Sequence, residues 1–135
     1  MATDAELQAF RDAGRTLFSF GLVRESEGNL SVFDGSTLSI TRTGSRLGAL
    51  GAADLIDGSL SGELDGASGD LDVHRRLYAE HGPGAVAHAH PAGTVPEDGG
   101  GPGRHGVYVF APSLSEAVEE IVRSARERDR REVAG

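Results

Sequence analysis

The apolar positions of this chain fall into short runs whose spacing switches between the helical and the extended period. Leu7, Phe10, Leu17 and Phe18 recur at helical spacing, which predicts an amphipathic helix from Thr3 to about Phe20. Thr3 and Glu6 have the form of a capping box at its start, and Gly21 stops it. Two alternating runs follow, Asn29 to Phe33 and Thr37 to Thr41, and Asp34-Gly35-Ser36 between them predicts a β-hairpin. Asp54 to Asp57 reads as a short strand ended by Gly58. A second helix is predicted from Asp70 to Glu80, with Leu71, His74, Leu77 and Tyr78 on one face. Pro83 and Gly84 punctuate it, and Ala85 to His90 follows as a buried strand. Pro91 to Gly106 is glycine-rich and reads as a loop, and Val107 to Phe110 as a strand. Ser113 caps a last helix with Glu116 at its third position and Leu114, Ala117, Val118, Ile121 and Val122 as its stripe. The charged stretch from Arg126 to Arg131 is expected to fray. No internal repeat appears, and residues 1–135 are expected to form one domain.

Three of the five histidines lie within eighteen residues, as His88, His90 and His105. The first two are spaced i, i+2, so on a strand both imidazoles leave the same face. A third imidazole from a neighbouring strand would complete a tri-histidine set with an open position, the ligand pattern of a catalytic zinc. His74, on the apolar face of its helix, reads as a core histidine, and His81 as a partner of its helix C-terminus. Tyr78 and Tyr108, the chain's two tyrosines, read as core positions.

Composition narrows the chemistry. The chain has no cysteine, and its 13 basic residues are all arginine. Thiol catalysis, Schiff-base chemistry and a lysine-bearing phosphate loop are therefore excluded, which leaves a metal as the main route to carbonyl chemistry. A formal charge of -8 argues against nucleic acid or an anionic membrane as partner. No apolar run suits a membrane span and no signal peptide opens the chain, so a cytoplasmic protein is expected.

Six segments, in order, resemble the class II aldolase/adducin family. Glu27-Gly28-Asn29-Leu30-Ser31-Val32 is similar to its G-N-[LIV]-S stretch. Ser39 to Gly44 is similar to its I-T-P-[ST]-G segment, with Arg42 in the place of proline, and Asp54-Leu55-Ile56 to its D-L-V strand. Ser68 to Tyr78 resembles the S-S-E-x-x-x-H-x-x-[IL]-Y helix start, Ala85 to Pro91 the V-[VA]-H-x-H-P strand, and His105-Gly106 the N-H-G segment.

The resemblance implies a three-layer α/β/α sandwich with a mainly antiparallel central sheet, in reduced form. It implies zinc, or another divalent metal such as manganese, on His88, His90 and His105. Asp70 takes the place of the family's acid/base carboxylate, and Asn29, Thr43, Gly44 and Ser68 take the places that hold a substrate phosphate. The implied activity is a metal-dependent aldolase-like lyase, or a related epimerase or dehydratase, on a small sugar phosphate or hydroxy-carbonyl compound. The alternative is a degenerate, non-catalytic domain with a metal-binding or assembly role. A small-molecule substrate and a homo-oligomer are the partners implied. Three departures bear on these expectations: Asp70 where the family has glutamate, Gly69 where it has a second serine, and a short stretch between His90 and His105. The family's C-terminal tail, with its tyrosine, also has no counterpart before Gly135. From the residues alone, Asp70 could equally be a helix N-cap, and Asn29, Thr43 and Gly44 could serve turns.

Overall fold

Thr3 opens the first helix through its side chain: Oγ1 accepts the Glu6 amide at 3.1 Å, and α1 runs Asp4–Ser19. The computed structural model describes residues 3–91 and 106–134. The hairpin forms as its turn residues require. Asp34 Oδ1 accepts the amides of Ser36 and Thr37 at 2.8 and 2.7 Å, reversing the chain between β1 (Asn29–Phe33) and β2 (Leu38–Thr41). Thr37 is thereby used by the turn, and the second strand starts one residue later than its pattern predicts. The next strand, β3 (Leu55–Gly58), is displaced for a similar reason: Asp54 Oδ2 accepts the Gly51 amide at 2.8 Å and closes a short 3-10 turn, Ala52–Asp54. A second 3-10 turn, Leu47–Ala49, has no counterpart in the pattern, because so short a segment cannot show a period.

Helix α2 spans Leu71–His81, followed by β4 (Gly84–Ala89), β5 (Val107–Ala111) and α3 (Leu114–Ala134). Ser113 Oγ accepts the Glu116 amide at 3.3 Å and starts α3, which continues through the charged stretch instead of fraying at Arg126. The strands order as β3-β2-β1-β4-β5, and every neighbouring pair is antiparallel. The predicted α/β sandwich is the observed architecture.

Alternation along the strands makes the two faces. Ala85, Ala87 and Ala89 of β4, with Leu30 of β1, join Phe10, Ala13 and Leu17 of α1 and Leu114, Ala117, Val118 and Ile121 of α3 in the larger core. The intervening residues point the other way: Phe33, Leu38 and Val86 pack with Tyr78 of α2, and Tyr108 and Phe110 of β5 close on them. Helices α1 and α3 thus cover one face and α2 the other. Phe18 departs from its expected place in the core. It is 56 % exposed, lying over Gly48 of the 3-10 turn Leu47–Ala49. Among the described residues no helix is long and apolar enough to cross a membrane.

Candidate metal and acid/base site

Strand register builds the floor of the site. Asn29 of β1 stands opposite His88 of β4, and His88 opposite Tyr108 of β5, so the three side chains form a row on the α2 face. Gly28 is needed beside this row. Its φ is +81°, and a Cβ there would meet the His88 carbonyl oxygen at 2.6 Å.

The roof comes from α2 and the residue before it. Asp70, His74 and Tyr78 are spaced i, i+4, i+8 and line one helix face, above Asn29, Ser31 and Phe33 of β1. Four helical residues advance about 6 Å and two strand residues about 6.8 Å, so the polar rows stay in step. The step is visible in the contacts. Asn29 Nδ2 lies 2.7 Å from Asp70 Oδ2, Ser31 Oγ 2.5 Å from His74 Nδ1, and Ser31 Oγ 2.7 Å from the Tyr78 hydroxyl. The His74 Nε2 also contacts Asn29 Oδ1.

Protons can be assigned along this network from the acceptor ends. Asp70 is held well below the usual carboxylate range, first by its hydrogen bond from His88, then by those from Asn29 and Tyr108, against the opposing effect of burial. Its ionised oxygen only accepts. His88 Nδ1, 3.0 Å away, must therefore carry a proton, and the NH₂ end of Asn29 must face the carboxylate. Asn29 Oδ1 then accepts from His74 Nε2–H, which leaves His74 Nδ1 to accept from Ser31 and Ser31 to accept from Tyr78. His74 is neutral in this scheme. Burial, helped by the nearby His88, pushes its pKa down to about 3, with Asp70 acting the other way. Burial also raises the Tyr78 phenol, which keeps its proton to donate.

With Nδ1 protonated, Nε2 is the nitrogen of His88 able to ligate. It faces Gly106, where a Cβ would lie 2.9 Å from Nε2 and 3.1 Å from His90 Cε1. The His88 and His90 rings are 4.8 Å apart, and Tyr108 stacks on His88 at 3.9 Å with an interplanar angle of 9°. Two neighbouring imidazoles, one oriented by a carboxylate behind it, suit a divalent transition metal. Among the described residues no three histidine, aspartate or glutamate side chains form a complete metal cage. The third expected ligand, His105, lies outside the described residues.

The other expected positions divide into two groups. Asn29 and Asp70 join the buried network with His88. Asp70 occupies the N-cap position of α2, but its side chain does not cap the helix. Ser68 Oγ instead accepts the Asp70 amide at 3.2 Å. Thr43 and Gly44 sit in an exposed turn joined to the Ser68 segment: Arg42 bridges Ala67, Thr43 N donates to the Gly66 carbonyl at 2.8 Å, and Ser68 N to the Thr41 carbonyl at 3.1 Å. His74 and Tyr78 are core residues as expected, yet both belong to the site's support. Apolar patterning makes Tyr108 a core residue alone, but in the fold its ring and hydroxyl serve His88 and Asp70. For His74 and Tyr78 the signal in the sequence is a polar i, i+4 row on α2 that can face the polar i, i+2 row on β1.

Comparison with known proteins gives a consistent picture. Residues 8–96 match the sequence model of the Class II Aldolase and Adducin N-terminal domain. Over 87 residues the chain is 38 % identical to the methylthioribulose-1-phosphate dehydratase of Bradyrhizobium sp. strain BTAi1, covering 62 % of this chain and 40 % of the dehydratase. It is 38 % identical to the L-fuculose-1-phosphate aldolase of Thermus thermophilus, with a TM-score of 0.61 over 66 % of this chain and 48 % of that one. The chain thus spans less than half the length of either relative. YgbL of Escherichia coli shares the fold more fully, with a TM-score of 0.81 over 97 % of this chain and 90 % of its own, at 21 % identity.

Proposed function

This chain belongs to the class II aldolase and adducin family, and we propose from that membership that it is a metal-dependent, aldolase-like lyase acting on a small sugar phosphate or related hydroxy-carbonyl compound. Epimerisation and dehydration are variants of the same chemistry. Two relatives named for sugar-phosphate substrates support the substrate class. The observation that carries the reading is the 3.0 Å contact between Asp70 and His88 Nδ1, with the His90 ring 4.8 Å from that of His88. His88 and His90, with His105, hold zinc or manganese. When bound, such a cation supplies Lewis-acid polarisation of a carbonyl oxygen. Asp70 is the carboxylate next to that place, and Tyr108 the hydroxyl group beside it. Thr43 and Ser68 offer hydroxyls, and Gly44 its amide, to the anionic end of a substrate. Asn29 serves the site from beneath, through its hydrogen bond to Asp70.

The test is elemental analysis of protein purified without a histidine tag, together with turnover of a panel of ketose and aldose phosphates. A near-stoichiometric divalent metal, lost in His88→Ala, is the expected result. Protein without metal, whose melting temperature no added zinc or manganese raises, refutes the reading. A second reading, a non-catalytic domain that works through assembly, draws on Phe18 and Phe20, which stand about half exposed on and just after α1. Unchanged oligomer size and unchanged cellular phenotype after replacing both His88 and His90 by alanine would favour it.

A further inference from the structure

Arg42 is an exposed cation at the rim of the site, and the activity proposed for this chain leaves it without a task. Its place follows from strand register. Ser31 pairs with Ile40, and the same register carried two residues further sets Arg42 opposite Asn29, at the end of the row Asn29, His88, Tyr108. Alternation along β2 gives Arg42 the face of Leu38, which packs with Tyr78 on the α2 side. The guanidinium is fixed along one edge: Nε donates to the Ala53 carbonyl at 3.0 Å. A Cβ at Gly66 would lie 2.7 Å from Nη1, so the fork rests where a glycine leaves it room. Among the described residues no carboxylate forms an ion pair with Arg42, and its Nη hydrogens have no acceptor. Neutral donors flank it. Ser45 N donates to the Arg42 carbonyl at 3.1 Å and closes a tight turn, in which Gly44 takes a φ of +78°. The Gly44 amide has no acceptor among the described residues, and open space lies where its Cβ would stand. Opposite Arg42 across its bridge is Ala67, and the next residue, Ser68, accepts the Asp70 amide at 3.2 Å, which leaves its own hydroxyl proton to donate.

We propose that Arg42 is the charge-selecting residue of this site. Its Nη edge, with the Gly44 amide beside it, takes oxygens of a phosphate dianion, so that phosphorylated compounds are preferred over their unphosphorylated counterparts. A guanidinium meets phosphate through two parallel N–H···O bonds, a grip that neutral amides and hydroxyls do not supply. Because Nε is already held by Ala53, less side-chain freedom is lost when the anion arrives. In a chain of net charge -8, a cation without a counter-ion also gives the anion a local place to settle. The inference rests on the lyase reading for the compound that carries the phosphate. The anion site itself belongs to the chain without metal or turnover.

The experiment uses the full chain, labelled with nitrogen-15 and stripped of metal by a chelator, with inorganic phosphate as the probe. Phosphate is added at constant ionic strength and about pH 8, where it is dianionic, and amide shifts are followed. The native chain shows a saturable shift of the Gly44 amide. Arg42→Gln weakens phosphate binding by about 10–100-fold, the usual cost of losing a charged hydrogen-bond partner. Arg46→Gln removes the same charge from another exposed position nearby and leaves the affinity within about twofold of native. Three results overturn the proposal: no saturable shift in the native chain, an Arg42→Gln affinity within about twofold of native, or an equal loss in Arg46→Gln. Turnover of the sugar-phosphate panel separates this inference from the lyase reading. Phosphate held through Arg42 in a chain that turns over none of the panel overturns the lyase reading and supports this one. Turnover of a sugar phosphate with KM unchanged in Arg42→Gln keeps the lyase reading and overturns this one.

Discussion

Replacing Ser31 by alanine removes one oxygen and leaves two buried groups without the partner they now have. Ser31 is fully buried, with Oγ 2.5 Å from His74 Nδ1 and 2.7 Å from the Tyr78 hydroxyl. His74 is itself fully buried and Tyr78 is 2 % exposed, so water cannot replace the lost bonds without opening the α2–β1 interface. Each unsatisfied buried group costs about 1–3 kcal/mol, and two of them together about 2–6 kcal/mol. That is a large part of the ~5–15 kcal/mol that holds a domain folded. Urea unfolding followed by circular dichroism reads the loss as a lower midpoint at constant slope. The direction of donation adds a sharper test. Tyr78→Phe removes the donor to Ser31, so combining it with Ser31→Ala should cost less than the sum of the two single changes, by about 0.5–3 kcal/mol. A loss below about 1 kcal/mol for Ser31→Ala, or strict additivity in the pair, would refute the coupled network and the proton assignment built on it.

The same network makes stability depend on pH. His74 is held down to about 3 in the fold against 6.5 when exposed, so between those values the unfolded chain binds the extra proton. The stabilisation is complete above 6.5 and falls by about 1.4 kcal/mol per unit as pH drops toward 3. Asp70 adds in the same direction below its ordinary value of 3.8. Midpoints measured from pH 7 to 4.5 should decline and His74→Gln should flatten the decline; a level native profile contradicts the assignment. Gly14→Ala separates local propensity from packing. Propensity alone favours alanine in a helix by about 1 kcal/mol. A Cβ at Gly14 would meet the Leu47 carbonyl oxygen at 1.9 Å, so α1 must shift, at a net cost of about 1–3 kcal/mol. A higher melting temperature for Gly14→Ala would show that the α1–Leu47 contact is not tight.

Most elements of the fold can be read from the pattern, and the differences have local causes. Alternation continues through Thr37 and Asp54 and predicts strand at both, yet each is taken by a turn whose hydrogen bonds the pattern does not show. Phe18 fits the helical stripe of α1, but the stripe is wider than the surface that α3 and the turn at Leu47–Ala49 cover. At the site, the i, i+2 spacing of His88 and His90 is enough to put both imidazoles on one face of β4. Asp70 shows the limit. Serine, glycine and aspartate before an apolar helix look like a cap, and the chain does use a cap there, on Ser68.

What separates these cases is distance along the chain. Helix starts, the hairpin, the alternation of β4 and the absence of lysine and cysteine are local or compositional properties, set within a few residues by caps, turns and side-chain period. The pairing of β1 with β4 joins Asn29 to His88 across fifty-nine positions, and α2 must dock at one height for Asp70, His74 and Tyr78 to meet that row. Such long closures leave no mark in local spacing, because they are chosen by which faces can bury apolar surface together. The tertiary structure alone therefore decided that the histidine of a strand, the asparagine of a hairpin and the aspartate before a helix would share one set of protons.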